Sequence, residues 1–81
     1  MLFRSPEIFL AAAELIGVRP DDCVGIEDAR AGIEAIVSAG MVAVGVGAAL
    51  DGMPGAPLVV DDTRRLTRPV LAGLFRERPR E

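Results

Sequence analysis

Two neighbouring carboxylates, Glu27 and Asp28, stand where an apolar run of the sequence ends and a helical pattern begins. They belong to the stretch CVGIEDARAGIEA, which covers residues 23–35. Two adjacent carboxylates repel each other, and a divalent cation relieves that repulsion. Mg²⁺ prefers oxygen ligands and is typically held by one or two carboxylates together with substrate phosphates and water. The pair therefore suits a magnesium site whose remaining ligands come from elsewhere.

The same two residues also have a purely structural interpretation. Asp28 can be the N-cap of the following helix, because a carboxylate at that position accepts backbone N–H bonds and is favoured by the helix dipole. Glu27 is then a solvated residue at the end of a strand. Spacing alone leaves both interpretations open and favours the cap.

The apolar patterns around the pair predict alternating helices and strands. Short apolar runs bounded by turn residues predict buried strands at residues 23–26, 41–46 and 58–60. Helices are predicted before the first strand, over residues 29–39, and after the last strand. This order implies a parallel sheet covered on both faces, in which ligands bind beyond the carboxyl ends of the strands. Glu27 and Asp28 lie at that position for the first strand.

Several residues predict how these elements begin, end and pack. Residues 5–7, Ser-Pro-Glu, have the features of a helix start, with a capping hydroxyl and Pro at the first helical position. Gly17 is the expected left-handed C-cap of this helix, and residues 47–57 predict a surface loop. Gly32 costs about 1 kcal/mol relative to Ala inside a helix, which indicates close packing on the sheet. The expected apolar stripe of the first helix consists of Ile8, Ala12, Leu15 and Ile16.

The amino-acid composition argues against several classes of binding partner. The chain has 81 residues, of which 51% are hydrophobic, and 12 acidic against 9 basic residues give a net charge of −3. All basic residues are Arg, and no basic cluster of the kind that binds nucleic acid is present. The apolar residues 8–13 are too few for a signal peptide or a membrane span, and the single Cys23 excludes an internal disulfide. We therefore expect a cytoplasmic protein without nucleic-acid or membrane partners.

The run VGIEDARAGIEAI, followed by AGMVAVGVG and later by LVVDDTRRLT, makes the sequence recognisable. It resembles the C-terminal part of phosphotransferases of the haloacid dehalogenase (HAD) superfamily, and of the β-phosphoglucomutase-like branch in particular, from residue 5 to about 75. The resemblance implies an α/β fold: a partial Rossmann-like parallel sheet of about three strands with flanking helices, without the N-terminal strand and the helical cap. Residues 1–76 are then the C-terminal portion of a HAD-like core domain, and residues 77–81 a disordered tail.

The resemblance also implies a role for the acidic pair. In that family the motif matched by Glu27 and Asp28 completes a Mg²⁺ site, and the metal neutralises charge during displacement at phosphorus. An Asp nucleophile, a second Asp two residues further on, a hydroxyl residue and a Lys complete the family's machinery. This sequence contains no Asp-x-Asp motif and no Lys, so no catalytic residue is expected in it. Aligned on residues 5–7, the Lys falls on Phe3, which leaves Arg4 as a weak candidate for binding phosphate.

These observations favour one function and leave one alternative. The first is the C-terminal part of a Mg²⁺-dependent phosphotransferase or phosphatase, inactive alone, which is the product of a truncated gene, the product of a split gene or a fragment. The intact enzyme is expected to isomerise a hexose phosphate or hydrolyse another phosphate ester through an aspartyl-phosphate, and a complementary N-terminal fragment is the expected partner. The alternative is a non-catalytic remnant or interaction module, which associates with itself or another chain through an exposed sheet edge.

Overall fold

A parallel sheet of three strands organises the part of the chain that the computed structural model describes, residues 5–76. The strands are β1 (Val24–Glu27), β2 (Val42–Val46) and β3 (Leu58–Val60), in that spatial order. The helices are α1 (Glu7–Ile16), α2 (Arg30–Ser38) and α3 (Arg68–Arg76). The predicted α/β class, with parallel strands and flanking helices, is confirmed. The hypothesis for Arg4 and the predicted tail at 77–81 lie outside the described residues.

The central strand β2 fixes the register of the sheet. Its pairing with β1 aligns Glu27 with Gly45, and its pairing with β3 aligns Val46 with Val60. Because both pairings are parallel, all three strands end at the same edge of the sheet. The backbone beyond β2 continues this edge, since the N–H of Gly47 donates to the carbonyl of Val60 over 2.7 Å.

The core lies between α2, the sheet and the segment that follows β2. Ile33 and Ile36 of α2 have no exposed surface, and Ala43 of β2 is equally buried beneath them. Leu50 and Met53 complete this cluster. The prediction of a surface loop at 47–57 is therefore wrong for these two side chains. A short 3-10 helix, Ala48–Leu50, turns Leu50 back against Gly45 and so brings the loop into the core.

Helix α1 differs from its predicted form at its start and in its orientation. Pro6 rather than Ser5 occupies the N-cap position, and the Ser5 hydroxyl donates to the Glu7 carboxylate instead. Gly17 is the left-handed C-cap that was expected, with φ of 71°. The predicted stripe is not the buried face, because Leu15 is 86% exposed. Other members of the stripe, Ile8, Ala12 and Ile16, are exposed as well.

The helix contacts the sheet through a face rotated away from that stripe. Ala13 is buried and Phe9, one turn earlier, packs against the core cluster. This spacing of four residues places both side chains on one side of α1. The stripe of Ile8, Leu15 and Ile16 therefore faces water in the described part of the chain.

Strand β1 is less buried than its apolar sequence predicts. Gly25 lies beneath the Ile36 side chain, but Ile26 on the opposite face is 46% exposed. Within residues 5–76, β1 pairs with β2 alone, so its other edge has no neighbouring strand. The prediction of a strand buried on both faces is therefore wrong for Ile26. No helix in the described range is long and apolar enough to span a membrane.

We expect Ile36→Ala to lower the free energy of unfolding by about 2–5 kcal/mol, because it removes a fully buried side chain and leaves a cavity beside β1. Leu15→Ala is the matched control, since truncation of an exposed side chain changes stability by about 0.5 kcal/mol or less. Urea unfolding followed by circular dichroism measures both variants. Equal losses in the two would contradict the placement of Ile36 in the core.

Candidate metal site

The two carboxylates predicted to bind metal lie at the carboxyl edge of the sheet. Glu27 is the last residue of β1, and Asp28 follows it before α2 begins at Arg30. The N-cap position of α2 is held by Ala29, and no side chain caps the helix from that position. The prediction that Asp28 is the N-cap is therefore wrong. A helix start placed one residue later leaves Asp28 in the turn between strand and helix.

The carboxylate that binds this turn belongs to Glu27. Its Oε1 atom accepts hydrogen bonds from the backbone N–H of Asp28 over 2.9 Å and of Ala29 over 3.3 Å. A carboxylate near the amino end of a helix is also favoured by the helix dipole. The sequence suggested a solvated residue here, whereas the structure shows that Glu27 orders the segment that carries Asp28.

The Glu27 side chain lies against Gly32, which is buried in α2. A Cβ atom at position 32 would overlap the Cγ, Cδ and Oε2 atoms of Glu27. The close packing expected at Gly32 is confirmed, and the group packed against it is a carboxylate. Nothing in the sequence pattern connects the two residues, although they are only five positions apart.

Asp28 is the more accessible of the two acids. Its side chain is exposed, and within residues 5–76 its carboxylate accepts no hydrogen bond and forms no ion pair. Exposed carboxylate oxygens suit Mg²⁺, which keeps several waters and needs only one or two carboxylates from a protein. The donor set of the acidic pair therefore fits this cation. No cluster of three or more metal-ligating side chains occurs among the described residues.

A second pair of acids, Asp61 and Asp62, follows β3 at the same edge. Strand β2 lies between the two pairs, so the strands that carry them are about 10 Å apart. Asp62 caps the 3-10 helix Thr63–Arg65, and its Oδ1 atom accepts from the N–H of Arg64 over 2.8 Å.

Arginine side chains compensate the charge of this second pair. The Arg64 guanidinium donates to both oxygens of Asp62, over 3.0 and 2.9 Å, and Arg65 donates to Asp61 over 2.8 Å. The hydrogen bonds from Arg64 hold the pKa of Asp62 below its usual value. These paired carboxylates are therefore poorer metal ligands than the carboxylate of Asp28.

Known proteins match this chain in both sequence and structure. No family model matches the chain. The β-phosphoglucomutase of Bacillus subtilis is 58% identical over 68 residues, which are 82% of this chain and 29% of that protein. The crystal structure of β-phosphoglucomutase from Clostridium difficile is 46% identical and superposes with a TM-score of 0.81 over 90% of this chain and 32% of that one. Over most of its length, this chain therefore matches the β-phosphoglucomutase-like branch of the HAD superfamily.

A more distant member of the superfamily supports the fold. A HAD hydrolase from Entamoeba histolytica is 25% identical and superposes with a TM-score of 0.85, over 91% of this chain and 35% of that one. The HAD resemblance seen in the sequence is thus confirmed. The chain spans about a third or less of the length of each of these proteins. Its three parallel strands and flanking helices match the fold of these HAD proteins over that part.

Replacing Arg64 with Ala is expected to raise the pKa of Asp62 towards its usual value, because the Arg64 side chain is the main cause of the lowered pKa. A carboxyl group whose pKa is lower in the folded state stabilises the fold above its unfolded pKa. This stabilisation is lost as the pH falls through the folded pKa. Carboxyl ¹³C titration by NMR measures the change, with Arg68→Ala as the control. An unchanged pKa of Asp62 in the Arg64 variant would contradict the assigned pairing.

Proposed function

We propose that this chain supplies the acidic metal-binding segment of a Mg²⁺-dependent phosphotransferase or phosphatase of the β-phosphoglucomutase type. The observation on which the proposal rests is the exposed Asp28 carboxylate at the carboxyl edge of a parallel sheet. The adjoining turn is held there because its backbone N–H groups donate to the Glu27 carboxylate. Relatives named β-phosphoglucomutase and HAD hydrolase support the reaction class. The substrate is accordingly a sugar phosphate or another phosphate ester, and the proposed location is the cytoplasm.

The two carboxylates have different roles in this proposal. Asp28 offers its exposed carboxylate oxygens to the cation, whereas Glu27 accepts hydrogen bonds from two backbone amides and fixes the turn from which Asp28 projects. Bound Mg²⁺ supplies a positive charge that stabilises negative charge on phosphoryl oxygens. A rigidly held ligand segment favours this function, because a metal ligand must not lose its geometry when water and phosphate exchange around it.

Phosphoryl transfer by this enzyme type requires residues outside the given sequence. The 81 residues contain no Asp-x-Asp pair, which supplies the nucleophile and the general acid and base in the family, and no Lys to bind phosphate. We therefore propose that these residues do not transfer phosphoryl groups by themselves. A complementary N-terminal segment that carries the Asp-x-Asp pair is the proposed partner.

Isothermal titration of Mg²⁺ into the purified 81-residue chain is expected to show weak binding, with a Kd of roughly 1 mM, because two carboxylates leave most ligand positions to water. Asp28→Asn should weaken this binding by about tenfold or more, since it removes a charge from the ligand set. Asp51→Asn is the matched control, because Asp51 is an exposed carboxylate in a loop. Equal affinities in the wild type and the Asp28 variant would refute the metal-binding proposal.

The exposed edge of the sheet favours a second function, association with another chain. An apolar groove of about 250 Å³ lies between α1 and β1, and its lining includes Phe9, Ile16 and Ile26. Unpaired backbone groups on β1 and an apolar surface beside them are together a template for another strand. We propose that a chain without an N-terminal partner self-associates at this edge.

Ile26→Lys tests this second function. A Lys on an edge strand opposes pairing with another strand, so the variant is expected to remain monomeric at concentrations where the wild type forms dimers or larger species. Val70→Lys on α3 is the control, because Val70 is a similarly exposed apolar residue away from the groove. Sedimentation velocity measures all three proteins. A monomeric wild type, or equal association in both variants, would refute association through this edge.

A further inference from the structure

Gly32 is a helical position at which an added side chain would overlap a neighbouring side chain. The atoms that a Cβ would overlap are the Cγ, Cδ and Oε2 of Glu27. Glycine is disfavoured in the interior of a helix because it loses more backbone entropy on folding than any other residue. Its presence in the buried part of α2 therefore calls for a packing reason, and the Glu27 side chain provides one.

Two other glycines of the chain lie against groups of a different kind. At Gly73 in α3, the nearest neighbour of an added Cβ is the end of the Arg76 side chain at 3.7 Å, which is ordinary van der Waals contact. At Gly25, an added Cβ would meet the apolar side chain of Ile36 in the core. Gly32 differs from both, because the group it accommodates is one of the two carboxylates at the carboxyl edge of the sheet.

A short series of contacts connects Gly32 to the exposed acid. The Glu27 side chain crosses the space above Gly32, and its Oε1 atom then accepts from the N–H groups of Asp28 and Ala29. A larger residue at position 32 must displace the Glu27 carboxylate, since a helix backbone moves less readily than a side chain. Displacement removes the acceptor of both amides, and the turn that carries Asp28 is no longer held.

We propose that Gly32 is a positioning residue for the acidic pair, and that its missing side chain fixes Glu27 and, through Glu27, Asp28. This inference rests on the proposed metal-binding function as far as the cation is concerned. Its structural part, the coupling of Gly32 to Glu27, stands on the packing alone. The two parts are tested by different measurements.

Gly32→Ala in the full 81-residue chain tests the structural part, with Gly73→Ala as the matched control. The Gly32 variant is expected to lose about 4 °C or more in Tm, because displacement of the Glu27 carboxylate breaks its two hydrogen bonds with backbone amides. The control is expected to keep or raise its Tm, because Ala is the better helix former. Hydrogen exchange of the Asp28 and Ala29 amides should become about tenfold faster in the Gly32 variant. Unchanged exchange at both amides would overturn the inference.

A double-mutant cycle distinguishes a clash with Glu27 from a general loss of stability in the Gly32 variant. Glu27→Ala removes the Cγ, Cδ and Oε2 atoms that an added Cβ would overlap. In that background, Gly32→Ala is expected to raise the Tm by about 2 °C or more, because the three nearest obstructing atoms are gone and Ala is the better helix former. A loss of Tm of the same size in both backgrounds would show that Glu27 is not the obstructing group and would overturn the inference.

Titration of Mg²⁺ into the same variants separates this inference from the proposed function. A positioning role predicts that Gly32→Ala weakens Mg²⁺ binding by about tenfold or more, while Gly73→Ala leaves it unchanged. Coupling in the cycle without Mg²⁺ binding by the wild type would uphold the packing role and refute the metal proposal. Mg²⁺ binding of equal strength in the wild type and Gly32→Ala would refute the positioning of Asp28 by Gly32.

Discussion

The burial of Ile33 and Ile36 between α2 and the sheet is the interaction on which the rest of this structure depends. Both side chains are fully buried, and they cover Gly25 of β1 and Ala43 of β2. A chain of this size has a small core and marginal stability, so few other contacts can replace this one. Because α2 is held across β1 and β2, its amino end is brought to the carboxyl edge of the sheet. The acidic pair owes its position to that apolar contact.

The geometry of the edge explains why two adjacent acids differ in character. Glu27 still belongs to β1, so its side chain reaches over the start of α2 and meets backbone amides. Asp28 lies in the turn, where its carboxylate meets water. Although the two acids are adjacent, the Glu27 carboxylate therefore stabilises the turn, whereas the Asp28 carboxylate is accessible to a ligand. The two acids after β3 differ from both, because each forms an ion pair with a neighbouring arginine.

Much of this arrangement could be predicted from the sequence, because it depends on local patterns. The bounds of β3, the left-handed cap at Gly17 and the parallel order of the strands follow from apolar runs and turn residues. The position of the acidic pair at the carboxyl edge follows from that order. These features are determined by residues close together in the sequence, which is where pattern arguments are strongest.

The features that the sequence did not reveal depend on contacts between distant elements. The buried side of α1 is set by how the helix meets the sheet, and Phe9 and Ala13 prevail over the more continuous stripe through Ile8 and Leu15. Burial of Leu50 depends on a turn that leads back to Gly45. The hydrogen bonds that Glu27 accepts from the turn depend on α2 starting one residue later than expected. Local helix and strand propensity does not determine any of these contacts.

The solvent-facing side of α1 affects the thermal behaviour of the isolated chain. Unfolding raises the heat capacity in proportion to the apolar surface that becomes newly hydrated. Ile8, Leu15 and Ile16 are already largely hydrated in the folded state, so they add little to that increment. The heat-capacity change per residue should therefore lie below the usual range for globular domains, and stability should vary less steeply with temperature. When another surface covers α1, unfolding newly hydrates these three side chains and the heat-capacity change becomes larger. The free energy of unfolding then varies more steeply with temperature.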